Sequence, residues 1–141
     1  KWDDSSSSSD SLDILTKDFT FGNPSIRKKC FKFYITYRCD GIDVPSNVKV
    51  YYGINGANLN KQLVNGTEVS DTSVYAGTST NCYSTGGLKS TDGEWKQAEL
   101  LPPSSINNIY SIQLRFKGDG VVNSSFEIND ITIIYREKIL K

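Results

Sequence analysis

The chain has 141 residues, enough for one domain of ordinary size with a real hydrophobic core. Lys and Arg together number 16, as do Asp and Glu, so the net charge is zero. That balance argues against duplex nucleic acid or an anionic membrane as a dedicated partner, and no stretch approaches the ~20 apolar residues of a membrane span.

In chain order, Lys1 to Asp13 carries Trp2, several Asp and the run Ser5 to Ser9. It has almost nothing to bury and reads as a solvated spacer, giving a flexible acidic, Ser-rich segment over 1–14 and a folded domain over 15–141. A calcium loop is the functional alternative there, but such loops need oxygens at set spacings and a turn-forming Gly. Thr16 to Phe21 predicts a first strand with Phe19 and Phe21 on one face, closed by the turn Gly22-Asn23-Pro24. Arg27-Lys28-Lys29 follows and reads as a solvated, charged edge that deters unwanted strand pairing, rather than a phosphate site.

Cys30 to Arg38 alternates, with Phe31, Phe33, Ile35 and Tyr37 against Lys32, Tyr34, Thr36 and Arg38. One face is core and the other wet, as in an antiparallel sheet. Val48, Val50 and Tyr52 predict the inward face of the next strand, which stops at a turn over Gly53 to Gly56. Ala57 to Gly93 is dense in Asn, Thr, Ser and Gly, with short strands expected at Gln62–Val64 and Val74–Ala76. A long segment without periodicity is where a binding function is expected, and its aromatic candidates, with the residue just after it, are Tyr75, Tyr83 and Trp95.

Trp95 to Leu100 is a further strand, ended by Pro102-Pro103. Tyr110, Ile112, Leu114 and Phe116 then alternate with Ser111, Gln113 and Arg115 as another half-buried strand. The last strand runs from Phe126 to Arg136. Phe126 and Ile128 share one face, but Ile131, Ile133 and Tyr135 continue one residue out of step. Side chains alternate with period two, so only an extra residue returns both halves to one core, and a β-bulge is predicted at Asn129-Asp130. Seven or eight strands with no helical periodicity make the class all-β, an antiparallel sandwich of jelly-roll or Greek-key type.

Chemistry is sparse. Histidine is absent, removing the commonest general base and metal ligand. Asp71, Asp92, Glu94, Glu99, Asp119, Glu127 and Asp130 show no spacing that singles out a catalytic pair. No enzymatic activity and no cofactor are expected. Asp130, beside Asn129, is weighed as a structural calcium ligand, but a bulge accommodates such a polar pair without a metal. Cys30 and Cys39 bracket a strand whose nine steps span about 30 Å, so they do not bridge each other. A bond from either to Cys82 is the alternative to free buried thiols. The sequons at Asn65 and Asn123 read as turns. The indole of Trp95 is expected between the sheets, the commoner use of so large a side chain, with an exposed sugar platform as the alternative.

Two sets of residues carry a resemblance. Thr16 to Pro24 with Arg27-Lys28-Lys29 resembles the entry to a C-terminal β-sandwich in structural proteins of tailed bacteriophages. Ser105 to Phe116, with Phe126 to Ile131 and Tyr135-Arg136, is similar to the closing strands of those domains. More loosely, the ending resembles the F-x-I-D-D-I close of MAM and carbohydrate-binding jelly rolls, with Asn129 in place of the first Asp. The resemblance implies a virion tail or accessory domain, acting in assembly or surface attachment. Its partners would be other virion proteins or host surface glycans, without nucleic acid or membrane insertion. Tyr34, Tyr51 and Arg27-Lys28-Lys29 are then the exposed groups expected to meet a neighbour. The alternative is a secreted carbohydrate-binding module. No Met occurs, even at position 1, so an excised or processed piece is expected, with targeting information elsewhere.

Overall fold

The computed structural model describes residues 12–39, 48–57, 59, 61–63, 68–70, 87–88, 93–103, 106–118 and 125–139. Among these there is no helix. The described residues form ten strands in two antiparallel sheets: β1 Asp13–Leu15, β2 Lys28–Arg38, β3 Val48–Ile54, β4 Lys61–Leu63, β5 Glu68–Ser70, β6 Gly87–Leu88, β7 Lys96–Leu100, β8 Asn107–Ile109, β9 Ile112–Gly118 and β10 Glu127–Glu137. The first sheet has the order β1-β9-β3-β4-β5, with β6 also beside β3. The second has the order β10-β2-β7, with β8 beside the start of β2. The all-β sandwich expected from the alternating pattern is the observed architecture.

The core lies between the sheets. Phe33, Ile35 and Tyr37 of β2, with Ala98 and Leu100 of β7, meet Val48, Val50 and Tyr52 of β3 and Ile112, Leu114 and Phe116 of β9. Each of the larger side chains stabilises the fold by roughly 1.5–3 kcal/mol relative to an exposed position. All but Ala98, Leu100 and Leu114 are β-branched or aromatic, and they recur at every second position, which selects strand over helix. β2 organises its sheet, because β10 runs along one side of it while β7 and β8 share the other.

The bulge inferred from the parity slip is present. Ile128 pairs with Tyr37 and Asp130 with Thr36, so Asn129 has no opposite number. Ile128, Ile131 and Ile133 consequently all pack on the same core. Among the described strands β10 is nonetheless at the edge of its sheet, and these residues are only half-buried.

Several expectations are corrected. Phe31 does not face the core with Phe33. Tyr135 pairs with Cys30 and Ile134 with Lys32, which makes Phe31 the extra residue of a second bulge. Cys30 takes the inward position and Phe31 is exposed. Thr16 to Phe21 is not a continuous strand: Phe19 makes a single bridge to Ile112, and Phe21 adopts a positive φ at the turn before Gly22. Phe19 and Phe21 still pack on the core. Tyr110 leaves the inward row of β9, because a bend separates it from Ile112 and its exposed ring holds Arg27. Tyr51 is buried, since β3 is a central strand with β9 on one side and β4 on the other.

Lys28 departs most from expectation. It is fully buried, not a solvated edge charge. Its Nζ donates to the carbonyls of Thr20 (2.8 Å), Asn23 and Tyr110 (3.3 Å). The ammonium thus ties the 20–23 turn and the bend before β9 to the start of β2.

A candidate binding face on the outer sheet

The wet face of the second sheet gathers the side chains that point away from the core. Antiparallel register places them in rows across three strands. Glu127 of β10 lies opposite Arg38 of β2, and Trp95 stands immediately before β7, beside Arg38. Asp130, Thr36 and Gln97 form the next row, and Thr132, Tyr34 and Glu99 the one after it. Ile134 and Lys32 follow.

The first row is a built unit. Arg38 Nε donates to Glu127 Oε2 at 3.0 Å, and its Nη2 lies 2.9 Å from the same oxygen. The guanidinium carbon lies 4.8 Å from the centroid of the Trp95 ring. A cation at that distance is attracted by the ring quadrupole, worth about 0.5–1 kcal/mol at an exposed site. The carboxylate orients the guanidinium and the guanidinium orients the indole, while Trp95 remains 47 % exposed. The expected burial of Trp95 between the sheets is therefore overturned. Ala98 and Leu100 supply the inward residues of β7, and Trp95 precedes the strand on the other side of the pleat.

The third row is held by charge. Lys32 Nζ donates to Glu99 Oε1 at 2.9 Å. That bond keeps the Glu99 carboxyl below the usual range and, from the other side, raises Lys32. Tyr34, opposite Glu99 in the register, acts on its carboxyl in the same direction. Farther along β2, the exposed Phe31 ring has Lys29 Nζ at 5.1 Å and Arg136 Cζ at 5.8 Å from its centroid. Aromatic–cation groups thus stand at both ends of β2, about 23 Å apart at strand rise, with amide, hydroxyl and carboxylate rows between them.

Of the predicted aromatics, only Trp95 belongs to this face as described; Tyr75 and Tyr83 lie outside the described residues. The two residues that position Trp95, Arg38 and Glu127, were not singled out from the sequence as site residues. Their signal is nonetheless present: Arg38 ends the alternating run of β2 and Glu127 begins β10, so antiparallel pairing of the two strands must bring them together.

Glu99 and Glu127 are each engaged by their own cation. Asp130 accepts a 2.9 Å hydrogen bond from Thr132 Oγ1, and among the described residues no group of three or more His, Cys, Asp or Glu side chains is placed to hold a metal. Cys30 and Cys39 are both buried, and Cys39 Sγ lies 3.7 Å from Ser125 Oγ. Burial pushes the Cys30 thiol up to about 12, outvoting the nearby Lys28 charge, so it is a packing residue and not a nucleophile. No protein-family model matches the chain, and neither the curated proteins nor the solved structures provide a match to it.

Proposed function

We propose that the chain is a non-catalytic interaction domain of a phage virion, part of a tail or accessory protein, acting in assembly or surface attachment through the outer face of its second sheet. The observation that carries the interaction reading is the Glu127–Arg38–Trp95 row. A half-exposed indole, held by an ion-paired guanidinium, is preorganised for contact, and preorganisation lowers the entropy cost of binding. Trp and Arg are also the residue types that anchor protein interfaces. The virion context rests on the resemblance of the 16–24 entry and the closing strands to sandwich domains of tailed phages.

A second reading, a carbohydrate-binding module, is favoured by Trp95 itself. Sugar rings stack their apolar faces on an exposed indole, and neighbouring amide and carboxylate groups take the hydroxyls. Gln97, Asp130 and Thr36 stand in the row next to it. The test compares the native chain with Trp95→Ala on a glycan array, with and without calcium, and in cosedimentation with tail particles assembled without the domain. Glycan binding lost in the variant selects the second reading, and particle binding lost in the variant selects the first. If the native chain binds neither, or the variant binds as the native does, the outer face is not a binding surface.

A further inference from the structure

β10 is an edge strand of eleven residues, bonded to β2 along one side. Among the described residues no strand pairs with its other side. None of its residues is buried, and Ile134 and Tyr135 are 44 % and 40 % exposed. Edge strands are ordinarily blunted by Pro, by inward charges, by bulges or by brevity, because a row of unpaired N–H and C=O groups recruits another strand. β10 has none of these protections between Asp130 and Arg136. The intervening residues are Ile131, Thr132, Ile133, Ile134 and Tyr135, all strand formers and all uncharged. Its own bulge, at Asn129, lies outside that segment, and the second irregularity belongs to β2.

We propose that this edge pairs antiparallel with β10 of a second copy of the chain, about a two-fold axis through Ile133. The register follows from the residues. Directly opposite side chains in an antiparallel pair share one face of the sheet. A two-fold axis that keeps both cores on the same side must therefore pass through a residue, not between two. With Ile133 on the axis, the inward face brings Ile133 against its own copy and Ile131 against Tyr135, twice. The outward face brings Thr132 against Ile134, twice, and Asp130 against Arg136, twice. Apolar residues meet apolar ones on the core side, and opposite charges close both ends. An axis through Thr132 would instead oppose Glu127 to Glu137 and Ile128 to Arg136. An axis through Ile134 would oppose Ile131 to Glu137. Of these three registers, the Ile133 one alone gives every residue from Asp130 to Arg136 a complementary partner within that segment.

The consequence is one continuous sheet across two chains. Both outer faces would lie on the same side, so each dimer presents two copies of the Trp95 row and gains avidity toward any repeated target.

The test is the mass of the full chain in solution, by sedimentation across a concentration series, for three proteins. The native chain should reach twice its 15.7 kDa and dissociate on dilution. Asp130→Arg sets like charges opposite each other at both ends of the pair and should weaken association by about tenfold or more. Asp130→Arg combined with Arg136→Asp restores opposite charges in the same register and should recover association to about the native level. Both substitutions are at exposed positions, and circular dichroism with thermal melting verifies that each variant is folded. A native chain that stays monomeric up to millimolar concentration overturns the proposal. So does a dimer that Asp130→Arg leaves intact, or one that the double reversal fails to restore, since either places the interface elsewhere.

Discussion

Replacing Lys28 by Met should cost about 3 kcal/mol of folding stability. A buried ammonium is expensive unless its hydrogens are satisfied. Here three carbonyls receive them, from Thr20, Asn23 and Tyr110. Hydrogen bonds to a charged donor contribute about 1.5–3 kcal/mol each. Counting the Thr20 and Asn23 bonds at the low end, and giving little to the longer Tyr110 contact, leads to the 3 kcal/mol figure. Met conserves the apolar stem and the volume, so the loss is not a cavity effect. The Phe21 ring centroid also lies 6.0 Å from Nζ, a weak cation–π contact that Met would lose. Urea unfolding is the assay, with the midpoint falling and the slope unchanged, because the change acts on the native state. For a domain of this size the melting temperature should fall by roughly 6–12 °C. A loss below about 1 kcal/mol would mean that water serves the three carbonyls as well as Lys28 does.

Gly53→Ala should destabilise the domain by about 1–3 kcal/mol, as overpacking does. An added Cβ would sit 2.5 Å from the Ala57 carbonyl oxygen and 3.2 Å from Leu59, and the melting temperature reports the cost. Cys30 should resist a thiol reagent at pH 8 in the native chain and react on unfolding; rapid labelling at Cys30 in the folded protein, located by peptide mapping, would contradict its burial. Asp13 carries a pH signature. Its hydrogen bond from Arg115 holds its carboxyl below the usual range against a small opposing effect of burial. The folded value is depressed, so its contribution is present above the unfolded value of about 3.9 and is lost as pH falls through the folded value. Amide exchange of Gly118, which donates to the Leu12 carbonyl, should accelerate as pH falls through that window after correction for intrinsic rates. In Asp13→Asn that pH dependence should disappear.

Period-two patterning carries most of what was legible in advance. Phe33, Ile35 and Tyr37, and later Ile112, Leu114 and Phe116, alternate with polar residues and are buried as that pattern requires. The slip between Ile128 and Ile131 located a bulge because only one arrangement reconciles the two halves. The second bulge was illegible. Phe31 keeps the apolar parity of Phe33, Ile35 and Tyr37, so nothing in the run marks it as the extra residue. Lys28 was misread for a related reason: a chain of methylenes ending in a charge is assigned to solvent unless its acceptors are known, and these carbonyls come from segments up to 82 residues away. β8 is three residues long and pairs at only two positions, too short for a periodic signal. Trp95 was assigned to the core on size. Its partner Arg38 comes from another strand, and only the strand register brings the two together.

The most direct measurement is the fluorescence of Trp95 in a Trp2→Phe chain, with acrylamide as quencher. An exposed indole stacked on Arg38 should give red-shifted emission that acrylamide quenches readily, with a further change in Arg38→Ala as the stacked guanidinium is removed. Blue-shifted emission that resists acrylamide would place the indole between the sheets, and the outer face would then lack the side chain on which its binding role depends.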